Sequence, residues 1–366
     1  MSARLDALTQ VRAELALPHR SGKLTCLACA HCCKLADGAR GRCLVRRRRG
    51  AALAVPWGYT AGAAVDPIEK KPFFHFLPGA RALSFGMLGC DLHCGYCQNW
   101  FTSQALRDPR ASEQAQPVEP EELVAAACSR RCEVITSTYN EPLVSAEWAH
   151  DVFALARQAG LRTSFVSNGH ATPDVLDYLA PLLDACKVDL KAYSEQTYAS
   201  LGGKLGPVLA TIAGLVERGI WCEVVTLVVP GLNDGEEELR AIATFLAGVS
   251  PDLPWHVTAF HPDYRLAEPP PTPGATLARA AELGRLAGLR HVYAGNLPGR
   301  LIGLEDTRCP ACGATLVRRL GFTVLENRLA PGGRCLACGA VIAGLWSARQ
   351  AMNAPQHPPR ETAAGL

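Results

Sequence analysis

The sequence predicts an α/β protein whose main body is a partial, open barrel of parallel βα units, with a small four-cysteine element at each end. Three observations carry this reading. Short apolar runs alternate with segments of helical periodicity through the middle of the chain, the pattern of a parallel sheet with crossover helices. About six such units are visible, fewer than the eight of a closed barrel. The 16 cysteines fall into two terminal groups, one central trio and four scattered positions.

Residues 1–50 are expected to form a Cys-rich metal-binding element, since 22–50 is rich in Gly, Arg and Cys with little periodicity and buries little core without a metal. Its basic run, Arg46–Arg49, reads as a solvated turn. The barrel spans 51–304, with strands expected at 82–88, 133–137, 162–166, 185–190, 222–229, 256–260 and 291–294. A helix over 145–159 should stop at Gly160, and another after Asp234 takes that residue as N-cap and closes at Gly248. The EPPPTP run, 268–273, is a stiff surface loop. Residues 305–346 read as two Cys knuckles joined by the hairpin LVRRLGFTVLENRL, and 347–366 as a disordered tail.

Composition narrows the class. With 48% hydrophobic and 19% charged residues in a chain of 366, wholesale disorder is excluded. No stretch approaches the roughly 18 apolar residues of a membrane span, and the first residues carry charges throughout instead of a secretory signal, so a cytoplasmic protein without membrane contact is expected. A net charge of +3 is too small to argue for nucleic-acid binding. In a reducing compartment the cysteines are thiols or metal ligands, not disulfides. Cys128, Cys132, Cys186 and Cys222 read as small buried apolar residues.

The central trio sits in LSFGMLGCDLHCGYCQNW, just after the first barrel strand. Cys90, Cys94 and Cys97, spaced C-x3-C-x2-C, can hold three corners of a [4Fe–4S] cube and leave one iron open as a reaction site. The alternative is structural zinc, with His93 as a candidate fourth ligand. The strand-end position favours an active site.

Around these residues the chain resembles the radical S-adenosylmethionine (radical SAM) superfamily, in particular its pyruvate formate-lyase activating-enzyme-like members. Within them it is similar to the radical SAM enzyme of the AmmeMemoRadiSam gene association. The resemblance rests on VDPIEKKPFFHFLPG (65–79), GC-x3-C-x2-CQNW, and then TYNEP, SNG, DLK, PGLND, FHPDY and GN-x-PG in the same order. It implies a [4Fe–4S] cluster and S-adenosylmethionine (SAM) as cofactors, with reductive cleavage of SAM to a 5′-deoxyadenosyl radical that abstracts hydrogen from a substrate. Carried over residue by residue, it places Tyr139, Asn140, Glu141 and Val229 around the cofactor, while position at the strand ends makes Asn168, Asp189, Lys191 and Glu223 candidates for the same site. Read without the family, Glu141 before a proline could equally be a helix N-terminal acid, and Lys191 could pair with Asp189 or Glu141. His261, Asp263 and Asn296 are substrate candidates.

Cys309, Cys312, Cys335 and Cys338 form a C-x2-C…C-x2-C pair suited to tetrahedral zinc in a ribbon or to rubredoxin-like iron. Cys26, Cys29, Cys33 and Cys43 could hold zinc or an auxiliary iron–sulfur cluster. The absence of a flavin or nicotinamide fingerprint calls for an external one-electron reductant, flavodoxin or ferredoxin. The resemblance also suggests AMMECR-family and Memo-family partners, and the added knuckles suggest a macromolecular substrate, protein or RNA. Two rivals stand beside this reading: a glycyl-radical enzyme activase, and a non-catalytic zinc-ribbon protein that binds nucleic acid.

Overall fold

The computed structural model describes residues 3–111 and 115–347; the tail expected to be disordered lies, from 348 onward, outside them. An eight-stranded sheet forms the body. We number its strands β1 (Gly62–Pro67), β2 (Arg81–Gly86), β3 (Val134–Ser137), β4 (Arg162–Ser167), β5 (Ala185–Asp189), β6 (Trp221–Val228), β7 (Trp255–Ala259) and β8 (Val292–Gly295). Strands β2 to β8 run parallel in chain order, as the alternating pattern requires, and β1 adds one antiparallel edge strand beside β2. The parallel strands are those expected from sequence, within two residues at each end. The edge strand, GAAVDP, is made largely of small residues and is only partly buried, and the sequence reading does not mark it. β1 and β8 do not pair, so the barrel is open.

Strands β2 to β7 are buried along nearly their whole length because helices cover the outer face. The principal helices are α1 (Pro120–Ser129), α2 (Ala146–Gln158), α3 (Pro173–Leu179), α4 (Leu205–Glu217), α5 (Glu236–Val249) and α6 (Gly274–Leu286). α1 starts with a capping box between Glu119 and Glu122 and proline at its first turn. α2 stops at Gly160, whose φ of +78° suits glycine. α5 corrects the sequence reading: its N-cap is Gly235, because Asp234 instead accepts from the Gly231 N–H at 2.8 Å, and the helix runs through Gly248 to Val249.

The strands begin at a plugged end. The segment 71–80 crosses it, packing Phe73 and Phe76 on Ala82, Val134, Ala185 and Trp221. The C-terminal element meets the plug here, since Leu77 N–H donates to Leu345 O at 2.6 Å and Leu345 N–H to His75 O at 2.7 Å.

The terminal elements are small sheets. In the first, Thr9–Arg12 and Arg47–Arg49 flank Ala52–Pro56, so pairing runs across the boundary expected at residue 50. Arg46 is no part of a solvated turn: it is 1% exposed, because Glu147 on α2 accepts both ends of its guanidinium. At the other end a hairpin, β9 (Thr315–Leu320) and β10 (Thr323–Asn327), joins the two knuckles. Of the scattered cysteines, Cys132, Cys186 and Cys222 are buried as expected, whereas Cys128 is exposed on the outer face of α1.

Candidate active site

Successive residues of a strand face opposite sides, so alternate positions of the parallel strands point into the barrel. Lys187 and Asp189 on β5, with Lys191 just beyond, Val225 and Leu227 on β6, and His256 and Thr258 on β7 do so, lining a cleft of about 810 Å³. That volume lies within the range of small-molecule and cofactor sites. A second void of about 100 Å³ adjoins it through shared walls at Cys94, Cys97, Tyr139, Asp189 and Lys191. All three of Cys90, Cys94 and Cys97 border this smaller void, together with Asn140, Glu141 and Asn168.

The loop that carries the trio is held rigidly. Gln104 Nε2 donates to Leu92 O at 3.2 Å, and Arg107 donates to Cys90 O at 2.9 Å. Cys90 Sγ accepts from the Leu92 N–H at 3.4 Å, and Cys97 Sγ lies 3.1 Å from Ser103 Oγ. Tyr96, beside Cys97, packs with Leu92, Leu201, Val229 and Phe260 beneath the loop. The three sulfurs do not converge within 4.8 Å of one another, which the four mutually close sulfurs at the C-terminus do. A single zinc would hold its ligands about 3.8 Å apart.

The strand-end polar residues are tightly bonded. Asn140 Oδ1 accepts from the Met87 N–H at 3.0 Å, and Tyr139, at φ +72°, reaches Asp66 with its hydroxyl at 3.3 Å. Glu141 is the cap of the short turn 142–145, accepting from the Leu143 N–H at 3.1 Å. It also accepts from Ser167 Oγ and the Asn168 N–H, both at 2.7 Å. Burial, reinforced by the charge of Asp91, pushes its carboxyl up to about 8 in spite of these donors. Asn168 Nδ2 turns to Asp91 at 2.7 Å. Asp189 lies between two ammoniums, bonding Lys187 and, at 3.2 Å, Lys191. Burial alone would raise its carboxyl, but the two cations hold it at about 2.

Three expected site residues are elsewhere. Glu223 is fully buried with both oxygens occupied, accepting from the Phe74 and His75 N–H groups, Trp221 Nε1 and His256 Nε2. It anchors the plug across the barrel and borders neither void. Val229 has no exposed surface to offer a ring, and its N–H is bound to Asn233 Oδ1 at 2.6 Å. Asp263 folds back on its own turn, accepting from the Tyr264 N–H at 2.6 Å. His261, 3.0 Å from Gln98 Nε2, and Asn296 do border the large cleft.

Several contributors escaped the sequence reading. Lys187 sits two residues before Asp189, a relation that strand periodicity would have exposed. Asn233 ties Val229 N, Lys191 O and Leu227 O together, a brace that no local pattern signals. His31 has a buried side chain, with Nε2 3.2 Å from Asp91 O. The C-terminal element also reaches the cleft, which Glu305, Gly321 and Phe322 help to line.

The Radical SAM superfamily profile matches residues 86–246, from the end of β2 through most of α5. Over 323 residues the chain is 37% identical to an uncharacterized protein of Methanocaldococcus jannaschii, covering 87% of this chain and 95% of that one. It is 23% identical over 230 residues to pyruvate formate-lyase 1-activating enzyme of Escherichia coli, covering 59% and 90%. The chain belongs to the Radical SAM superfamily. Its members are enzymes, and membership implies a [4Fe–4S] cluster and SAM. A crystal structure of a radical SAM methyltransferase from Sphaerobacter thermophilus superposes with a TM-score of 0.49 at 14% identity, covering 79% of this chain and 78% of that one. No helix among the described residues is long and apolar enough to cross a membrane.

Proposed function

We propose that this radical SAM enzyme binds a [4Fe–4S] cluster on Cys90, Cys94 and Cys97, binds SAM in the adjoining cleft, and acts on a macromolecule, protein or RNA. The observation that carries the reading is the meeting of three thiols with Asn140, Glu141, Asn168, Asp189 and Lys191 around one void. With SAM, a reduced [4Fe–4S] cluster supplies one-electron cleavage of the S–C5′ bond to a 5′-deoxyadenosyl radical, which takes hydrogen from the substrate. The protein's own part is binding and orientation. Asp189, held as an anion, and Lys191 offer opposite charges to the ammonium and carboxylate of the methionyl group. Tyr139 and the buried walls limit water in the cleft. An exposed Phe322 at the edge of the cleft supplies apolar surface for a large substrate. Zinc on Cys309, Cys312, Cys335 and Cys338 fits Sγ separations of 3.6 and 3.7 Å.

Flavodoxin or ferredoxin is the proposed electron donor and the cytoplasm the proposed location. AMMECR-family and Memo-family proteins are proposed partners. Similarity to the activating enzyme of Escherichia coli supports a second reading, activation of a glycyl-radical enzyme; it predicts formation of a glycyl radical in a partner protein. The deciding experiment is anaerobic purification with iron, zinc and sulfide analysis, then dithionite reduction and assay of 5′-deoxyadenosine from SAM. We expect iron, sulfide and SAM cleavage, all lost at the catalytic site in Cys94→Ala. Zinc without sulfide, or cleavage retained in Cys94→Ala, overturns the assignment; the former favours a non-catalytic nucleic-acid-binding protein.

A further inference from the structure

The charges of the cleft divide into two groups. Where it adjoins the thiols they are Asp189 and Lys191; away from the smaller void it is bordered by two carboxylates, Glu69 and Glu305. Glu69 lies in the short turn Ile68–Lys70 and is fully buried. Its Oε1 accepts from the Gly79 N–H at 2.9 Å, but its Oε2 has no hydrogen-bond partner among the described residues. A buried carboxylate oxygen without a donor is costly, and folded chains rarely leave one so. Glu305, 8% exposed, is held by the Gly299 and Gly321 N–H groups at 3.4 and 3.3 Å, both long for hydrogen bonds.

The neighbouring cations do not meet this demand. Lys70 and Lys71, which also border the cleft, each bond Asp66 at 2.8 Å. Arg319 lies beside Glu69, yet its Nε is 3.7 Å from Oε1, too long for a hydrogen bond. Its other nitrogens donate to Phe74 O and Thr307 Oγ1, at 2.7 and 2.8 Å, and the same guanidinium also faces Glu223 and Asp306. One cation thus answers three carboxylates, and burial outweighs its pull and raises the Glu69 carboxyl. Two rings complete this part of the wall. Phe74 and Tyr293, with centroids 4.8 Å apart and planes 63° from parallel, both border the cleft. Ring faces beside carboxylates attract cations, and Arg319 already rests on Phe74, 4.2 Å from its centroid.

Building on the function proposed above, we propose that Glu69 and Glu305, with the rings of Phe74 and Tyr293, form a subsite for a cationic group of the substrate, and that the substrate is a protein presenting a lysine or arginine side chain. The N–H groups of an ammonium or guanidinium supply the donor that Glu69 Oε2 lacks, in a charge-assisted bond. The apolar stem of such a side chain suits a cleft that Phe322 and Pro298 help to line. RNA fits this end of the cleft poorly, because its phosphates would meet two carboxylates. The ammonium of SAM has its own counter-charge in Asp189, where the cleft adjoins the thiols.

The test uses the full chain, purified anaerobically, and saturation-transfer NMR with two probes of one shape, N-methylguanidinium and its neutral isostere N-methylurea. We expect transfer to N-methylguanidinium alone, unchanged by SAM, weakened about tenfold in Glu69→Gln and in Glu305→Gln, and abolished by competing oligolysine. Glutamine at 69 keeps an acceptor for the Gly79 N–H; should that variant fail to fold, Glu305→Gln decides. Equal transfer to both probes, or undiminished transfer in a folded variant, overturns the subsite. Displacement of N-methylguanidinium by SAM assigns the two carboxylates to SAM and overturns it as well. Competition by oligouridylate in place of oligolysine overturns the protein substrate in favour of RNA. The readout requires neither iron nor turnover, so a negative result leaves the proposed function standing, whereas a chain that cleaves no SAM fails that function whatever the probes do.

Discussion

Arg46 and Glu147 form a bidentate ion pair, both contacts 2.6 Å, with each side chain 1% exposed. The pair fastens the N-terminal element to α2, and Arg46 uses its remaining nitrogen on Cys26. Removing one partner leaves the other buried and uncompensated. Arg46→Met should cost about 3–5 kcal/mol in denaturant unfolding, and adding Glu147→Gln should recover part of it. A single variant as stable as the wild type would contradict the burial.

Gly89 joins the N-terminal element to the loop that carries Cys90 by its lack of a side chain. Its φ is +95°, and a Cβ there would stand 2.8 Å from Val45 Cγ1 and 3.2 Å from Cys43 O. Gly89→Ala should destabilise by about 1–3 kcal/mol from the backbone alone, with more from the clash. Val45→Ala should relieve only the steric share. The measurement is thermal unfolding of both single variants and the double.

Asp189→Asn should leave Lys187 and Lys191 without their shared counter-charge. Because Asp189 keeps 31% of its side-chain surface, we expect a cost of about 1–2 kcal/mol, below that of a fully buried pair. SAM affinity by calorimetry should fall as well; unchanged binding would remove Asp189 from the site.

The Glu141 carboxyl, pushed up to about 8 from an ordinary 4.5, makes folding sensitive to pH. The folded chain holds a proton that the unfolded chain releases above about 4.5, so stability declines as pH rises from there to about 8 and levels off above. Denaturant midpoints at pH 6, 7 and 8.5 should show this decline in the wild type and a flatter profile in Glu141→Gln. Equal slopes would place the titration elsewhere.

Cys309→Ser should release one zinc per chain and loosen 305–346, raising protease sensitivity there. Because Gly321 and Phe322 help to line the cleft, substrate binding should weaken while the EPR signal of the catalytic cluster stays. An equally stable, zinc-replete variant would exclude a structural ion on these thiols.

The parallel strands were legible because each is a short buried run ending at polar residues, and Cys90, Cys94 and Cys97 because ligand spacing is local. What escaped depends on contacts far apart in the chain. Glu223 looks like a barrel-mouth acid until Phe74 and His75, some 150 residues earlier, take up its oxygens. Arg46 looks solvated until Glu147 meets it. Asp234 is a sound N-cap by residue type, but the Gly231 N–H competes for it.

The plug has a consequence for how the enzyme is made. Phe74 O awaits Arg319 Nη2, at 2.7 Å, and His75 awaits Ala343 O and Leu345 N. A chain emerging from the ribosome can begin to pair β2 to β7 before residues 319 and 343–345 have emerged, so the barrel floor is completed last. During that interval the thiol loops are translated and gathered while one end of the barrel is still open. Metal insertion and final closure are thereby separable in time, and a chain cut short before residue 319 would have its cysteine trio without a finished floor beneath the cleft.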